Sequence, residues 1–406
     1  MKQTTLICLV DKKYPPGHSF VTGMLAQALP RDGDVRVQLL VMAPEGSPLG
    51  PQRYHRAACL PMIPDVSRRG GSGVRAMLTA RHLVRTLIAK ARRRGERVVL
   101  FVRNHPALLL VAASLRGRVD GLVFQSSFPL ELQGNMARRG LHQAALRVGG
   151  RRVDGVLAVS PLGLVRARRL CSRGARGLVV PLLSDLPRAS AADDAIWPGD
   201  KDSVRFIYAG THRMKRRLDV VLEGAARALN AGANAAFVLI GGKPEEVAAL
   251  RMGRDVQRWE GEGRVLFIEA VPRPRLPGLL EGADVGLSLV PETQINREMS
   301  PTKLAEYMGA GLAVLASRGV ELQETFLRDS GAGILVPFDA QSIADGIVQI
   351  CADQKRLKDW KSHAESFSNT HLKYSNYVPE FKAIMGGTQG RDAGTQSSMN
   401  DSSPEP

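Results

Sequence analysis

A chain of 406 residues is too long for one ordinary compact core and predicts two domains of roughly 150 to 200 residues each. Hydrophobic residues at 44% and charged residues at 23% exclude a disordered, collagenous or fibrous chain. The formal charge of +17 is unevenly spread: residues 1–185 hold 30 Lys+Arg against 10 Asp+Glu, a net of +20, and the other 221 residues hold 26 against 29, a net of −3. All of the excess positive charge lies in the first half, which predicts that one domain meets an anionic surface or partner.

In chain order, the first half alternates short apolar runs with helix-length stretches. Residues 5–10, 35–41, 98–102, 121–124 and 155–159 are rich in Val, Leu and Ile and bounded by turn residues. Each has the length of a strand buried on both faces. Helical patterns over residues 19–29 and 74–94 lie between them, and the alternation predicts an α/β fold with a doubly wound sheet. From 186 to 202 the chain turns to Pro, Ala, Ser and Asp, as a linker does. New strands are predicted at 204–209, 236–240, 265–268, 285–289, 313–316 and 334–336, and residues 386–406 have the composition of a disordered tail. The expected division is a Rossmann-like domain over 1–185, a linker over 186–202, and a second Rossmann-like domain over 203–385 whose last helices can cross back to the first. Such a pair places a cleft at the carboxyl ends of both sheets, where these folds bind ligands.

The four cysteines, Cys8, Cys59, Cys171 and Cys351, form no C-x-x-C pair, so neither a zinc site nor a disulfide framework is indicated. The longest nearly apolar stretch, residues 106–115, is about half of the roughly 20 residues a membrane-spanning helix needs. The amino terminus meets charge too early for a secretory signal. A cytoplasmic protein is the expectation.

The chemistry concentrates in the second half. Ser300-Pro301 reads as a helix start, an N-cap acceptor followed by proline at the first helical position, with Thr302 and Lys303 in the first turn. Its free N–H groups and positive dipole end suit a phosphate or diphosphate. Glu298 and Glu306 flank that start, and carboxylates beside phosphate make sense when they face sugar or ribose hydroxyls. Strand 204–209 runs into Gly210-Thr211-His212-Arg213-Met214-Lys215-Arg216, which sets cations where a leaving diphosphate needs them. Strand 236–240 ends in Gly241-Gly242, a place for close backbone approach. Together these parts describe a nucleotide-sugar site.

From Val204 to about Ile350 the sequence resembles the nucleotide-sugar-binding domain of GT-B glycosyltransferases of the group 1 (family 4, retaining) type. The matching pieces run in order: the 210–219 loop, Val238-Leu239-Ile240-Gly241, Gly282-Ala283-Asp284-Val285, the E-x7-E run from Glu298 to Glu306, Gly309-Ala310-Gly311, Glu321 with Glu324, and Gly331-Ala332-Gly333. The resemblance implies a GT-B architecture and roles residue by residue. Lys215 with an adjacent arginine, Arg213 or Arg216 in place of the family's residue now Thr211, neutralises the donor diphosphate. Glu306 binds the ribose hydroxyls, and Glu298 contacts the transferred sugar or its phosphate side.

In the first half Gly17 and His18 occupy the place of the family's glycine-rich loop, with His18 as a hydrogen-bond donor to the donor phosphate or as an ordinary loop histidine. Ser127 or a neighbour stands where relatives keep a histidine, and His105 is the substitute candidate. Ser160 reaches the acceptor or caps the next helix, with capping favoured. On the 74–94 helix Ala80, Leu83, Val84, Leu87, Ile88 and Ala91 form one apolar arc, and basic residues including Arg75, Arg81, Arg85, Arg92 and Arg93 cover the remainder, with Leu78 outside the arc. That basic face is expected to meet anionic lipid headgroups or an anionic lipid-linked acceptor.

Asp200-Lys201-Asp202 has D-x-D spacing but lies in the linker, so no metal is expected. The implied activity is transfer of a hexosyl group from a UDP- or GDP-linked sugar, as co-substrate, to a glycan or lipid-linked acceptor in the assembly of a cell-envelope or exported polysaccharide. It would take place in the cytoplasm with peripheral contact at the inner face of the cell membrane. The rivals are a nucleotide-sugar epimerase on the same fold and a non-catalytic basic polysaccharide- or nucleic-acid-binding protein. Aromatics at 5% are too few for single-strand stacking, so no nucleic-acid partner is expected.

Overall fold

The computed structural model describes residues 2–43, 50–63, 71–184, 186–187, 189 and 197–386. Much of the expected linker and all of the expected tail beyond Gly386 lie outside the described residues.

The first sheet contains β1 (Thr4–Lys13), β2 (Val35–Met42), β3 (Gln52–Tyr54), β4 (Ala57–Ile63), β5 (Arg97–Arg103), β6 (Gly121–Ser126), β7 (Gly155–Ala158) and β8 (Arg176–Val179). Their order is β3-β4-β2-β1-β5-β6-β7-β8, parallel throughout except for the antiparallel β3–β4 pair. Alternation along β1 explains its unbroken apolar run: Leu6, Cys8 and Val10 enter one core, and Ile7 and Leu9 enter the other. Strands β3, β4 and β8 were not expected. The charged Arg53, His55, Arg56 and Arg176 break up their apolar signal, and β3 lies at a sheet edge.

Helices α1 (Gly71–Arg93), α2 (Pro106–Ala113), α3 (Met136–Gly150) and α4 (Pro161–Leu170) share one core with the first sheet, through Ala80, Val84, Ile88, Leu108, Leu146 and Ala167. The other face is covered by a wide-turned π-helix at Phe20–Ala28 and by the last helix of the chain.

The second sheet contains β9 (Val204–Ala209), β10 (Ala235–Ile240), β11 (Val265–Ile268), β12 (Val285–Ser288), β13 (Ala313–Ser317) and β14 (Gly333–Val336). It is parallel, in the order β11-β10-β9-β12-β13-β14. The intervening helices are α5 (Leu218–Asn230), α6 (Pro244–Leu250), α7 (Arg254–Gly261), α8 (Leu276–Glu281), α9 (Gln294–Arg297), α10 (Thr302–Gly309) and α11 (Glu321–Ser330). The chain closes with α12 (Ala340–Ala352), α13 (Gln354–His371) and α14 (Val378–Met385).

One core cluster runs through both sheets and joins Phe101 and Leu157 to Leu304, Tyr307, Met308 and Phe381. Helix α14 packs on the first sheet: Phe381 meets Phe101 edge-on at 5.7 Å, and the Arg97 guanidinium donates to the Met385 carbonyl. A bulky apolar seam of this kind fixes the two sheets against each other and sets loops from both at one cleft.

Candidate functional site between the two sheets

The second sheet supplies a cavity of about 160 Å³ at the carboxyl ends of its strands. Tyr208 at the end of β9, Ser288 at the end of β12, Arg216 and residues 299–303 before and within α10 line it. Lys303 is half-buried, with its Nζ 4.9 Å from the centre of the Tyr208 ring. Burial and then the Arg216 guanidinium lower its pKa to about 8, against the opposing pull of Glu306. Gly210 leaves room for that amine, because a Cβ there would collide with Lys303 Nζ. Gly241 has φ +107 and lies against Gly210, whose carbonyl oxygen a Cβ at 241 would approach to 2.8 Å. The turns that end β9 and β10 are therefore pressed together, which is what glycine permits.

The structure brings Arg216, Ser300, Pro301, Thr302 and Lys303 to one cavity. Arg213 and Lys215 are exposed in the loop after β9, so of the two arginines considered beside Lys215 it is Arg216 that reaches the cavity wall. Glu306, 10% exposed, lies 3.7 Å from the Arg273 guanidinium in the turn after β11.

The expected cap at Ser300 is corrected. Helix α10 begins at Thr302, with Pro301 at the N-cap in an extended conformation (ψ 109). The Ser300 hydroxyl instead accepts from Leu182 N at 2.8 Å, tying the segment after β8 to the second sheet. The cap fails because the proline backbone is extended and the hydroxyl is taken by a crossing chain. Ser160 does cap α4: its Oγ accepts from Gly163 N at 3.0 Å.

In the first sheet the carboxyl ends of β1, β5 and β6 hold a buried polar cluster. The Arg103 guanidinium bonds Asp11, His18 Nε2 at 2.7 Å and Ser127 Oγ at 3.3 Å. His18 is pushed down to about 2, by burial first and then by Arg103, Lys12 and Arg273. Its Nε2 therefore accepts a bond from Arg103, which always donates. Gly17 faces open space, so no close approach in this structure demands a glycine there. His105 is half-buried at the N-cap of α2, directly after Asn104. Asn104 has left-handed backbone (φ 55), and its Oδ1 accepts from Ser127 N and Phe128 N.

Two features escaped the sequence reading. His212 is buried after β9, its ring packed over Gly242, with neither ring nitrogen hydrogen-bonded among the described residues. Burial lowers it to about 4. Glu298, Arg166 and Glu131 form an ionic group between the two sheets. Residues 132 and 35 apart give no local signal.

Helix α1 has the expected apolar side, with Ala80, Val84, Ile88 and Ala91 buried, and Leu78 is 60% exposed. Arg75, Arg85, Arg92 and Arg93 are exposed, while Arg81 is half-buried and bonds Ser114 Oγ; Arg92 pairs with Asp120. Helix α3 also presents large apolar side chains outward: Met136, Leu141 and Val148 are exposed. Among the described residues no group of three or more His, Cys, Asp or Glu could hold a metal, and Asp200 is paired with Arg264. Among the described residues no helix is long and apolar enough to cross a membrane.

Residues 203–353 match the family model described as glycosyl transferases group 1. No curated protein matches the sequence significantly. Among solved structures, the chain is similar to a sucrose-phosphate synthase from Thermosynechococcus elongatus, at 15% identity and TM-score 0.64, covering 94% of this chain and 98% of that one. It is similar to Anabaena HepE in complex with UDP, at 15% identity and TM-score 0.64 over 95% and 99% of the two chains. It is also similar to WaaG, a glycosyltransferase involved in lipopolysaccharide biosynthesis, at 15% identity and TM-score 0.61 over 95% and 100%. The chain thus has the GT-B fold of glycosyltransferases, and its residues 203–353, which supply the cations of the cavity, match the group 1 glycosyl transferases.

Proposed function

We propose that this protein transfers a hexosyl group from a UDP- or GDP-linked sugar to an acceptor hydroxyl with retention at the anomeric carbon. The observation that carries the reading is the cavity at the start of α10, where Arg216 and the half-buried Lys303 converge in the matched domain. Cations and free helix N–H groups there would stabilise a departing diphosphate without a resident metal. Lys215 adds charge from the exposed loop, Glu306 meets the ribose and Glu298 meets the transferred sugar. In the step, the acceptor oxygen bonds to the anomeric carbon as the bond to the diphosphate oxygen breaks. The acceptor proton passes to the departing phosphate on the same face. Glu131, a buried carboxylate in the turn after β6, is bound to Arg166, which supports front-side attack over a covalent glycosyl-enzyme. HepE has been crystallised with UDP-glucose, in keeping with a UDP-sugar donor here.

We take residues 1–185 as the acceptor side, 186–202 as linker and 203–385 as the donor side. The acceptor is a glycan or lipid-linked sugar of a cell-envelope or exported polysaccharide, met at the anionic inner face of the membrane. The exposed arginines of α1 and the outward Met136, Leu141 and Val148 of α3 support this setting. A panel of UDP- and GDP-hexoses, with an oligonucleotide as control, tests the reading by thermal shift. A nucleotide sugar should raise the melting temperature; stabilisation by the oligonucleotide alone would favour a nucleic-acid-binding protein.

A further inference from the structure

Helix α4 starts at the carboxyl end of β7, and its first two turns grip the second domain. The Ser160 hydroxyl that caps the helix also donates to the Glu298 carbonyl at 3.0 Å. Leu162 N donates to the Glu321 carboxylate at 2.9 Å. One turn further, the Arg166 guanidinium spends each nitrogen on a different element: Nε on the Glu298 carboxylate, one terminal nitrogen on Glu131, the other on Ser126 Oγ at 3.0 Å. Arg166 is 16% exposed, Glu131 5% and Glu298 14%.

A planar guanidinium filled in three directions has one orientation open to it, and it transmits that orientation to whatever it holds. An ordinary surface pair would leave both side chains free to exchange partners with water. Here Glu298 is held at its carbonyl and at its carboxylate by the same helix of the other domain. Its neighbours Met299 and Ser300 form part of the cavity wall.

We infer that Arg166 is a positioning residue for glycosyl transfer, aiming the Glu298 carboxylate at the transferred sugar, with Glu131 as the buried counter-charge that fixes the guanidinium. The inference rests on the reading of Glu298 as a sugar contact. Its consequence is that Glu298 is aimed only while α4 lies against the second domain, so sugar orientation is coupled to domain closure.

The test compares wild type, Arg166→Ala, Arg166→Lys, Glu131→Gln, Glu298→Gln and the Arg166→Ala/Glu298→Gln double variant. Nucleoside diphosphate release is followed with the UDP- or GDP-hexose that most raises the melting temperature. Arg166→Ala should lower kcat by about 30-fold with donor KM changed by less than about threefold, the pattern of a residue that acts in the transition state. Arg166→Lys keeps the charge but not the fork and should recover only part of the loss, and Glu131→Gln should cost about fivefold. The double variant should be no slower than Glu298→Gln alone, because one effect acts through the other. Wild-type kcat in Arg166→Ala beside an impaired Glu298→Gln, or additive losses in the double variant, would overturn the proposal. Full activity in Glu298→Gln, or no donor that binds, removes the underlying reading and the proposal with it. If Arg166→Ala does not fold, Arg166→Lys carries the same test, with wild-type kcat as the refuting result.

Discussion

In the proposed donor site, Lys303 should make nucleotide-sugar binding depend on pH. Its amine lies over the Tyr208 ring, beside Arg216, with a pKa lowered from 10.5 to about 8. A shift of that size means that the charged form costs the folded protein about 3 kcal/mol at neutral pH. The sign follows from linkage: the unfolded chain binds this proton more tightly, so the penalty is complete below about pH 8 and fades as pH rises toward 10.5. A bound diphosphate supplies the missing counter-charge and restores the proton. Nucleotide-sugar affinity should therefore be flat below about pH 8 and weaken by about tenfold per pH unit above it, roughly tenfold between pH 7 and pH 9. Tyr208 is pushed up to about 12 and stays neutral across this range, and the diphosphate of a nucleotide sugar carries no titrating group there. Isothermal titration at pH 7, 8 and 9 reads the slope. Lys303→Met should bind weakly with no slope, and the ligand-free variant should be at least as stable as wild type at pH 7. A flat profile in wild type, or the same slope in Lys303→Met, would refute the reasoning.

Two depressed histidines predict acid lability: His18 at about 2 and His212 at about 4 remain neutral in the fold, while unfolded histidine protonates near 6.5. Stability should fall as pH drops below about 6.5, by up to about 1.4 kcal/mol per pH unit for each, and His212→Asn should reduce the slope of melting temperature against pH. Gly286→Ala would drive a Cβ into the buried Tyr307 ring and should cost about 3 kcal/mol in denaturant unfolding; an unchanged midpoint would contradict the packing. Neutralising Arg75, Arg85 and Arg93 on α1 should weaken binding to anionic vesicles while leaving nucleotide-sugar affinity unchanged, whereas unaltered vesicle binding would remove the membrane reading. Chelation with EDTA should leave transfer intact, because in the proposed site Lys215, Arg216 and Lys303 meet the charge on the leaving group.

The second sheet was legible because strands buried on both faces must be short and apolar. Val204–Ala209 and Val265–Ile268 match the expected bounds, and the others differ by a residue at one end. The first sheet was legible at its centre and not at its rims, where β3 and β8 mix an arginine with few apolar residues and β4 follows directly on His55 and Arg56. At the site, the loop glycines and the cationic loop after β9 could be read locally. What could not be read was partnership at long range. Ser300 looks like a cap until Leu182 N reaches it, and nothing near Glu298 in sequence announces that Arg166 closes on it from the other domain. The partial burial of Lys303 likewise follows from Gly210 and Tyr208 meeting it from another strand, which no spacing within residues 300–306 encodes.

The proposed transfer of a hexosyl group from a nucleotide sugar through the second domain is open to a direct assay, in which wild type, Lys215→Ala and Glu306→Ala are incubated with the stabilising nucleotide sugar and membrane extract and the products are analysed by mass. Wild type should give a product heavier by one hexosyl unit, and neither folded variant should. Full transfer by Lys215→Ala or Glu306→Ala, or no hexosylated product from wild type, would contradict it.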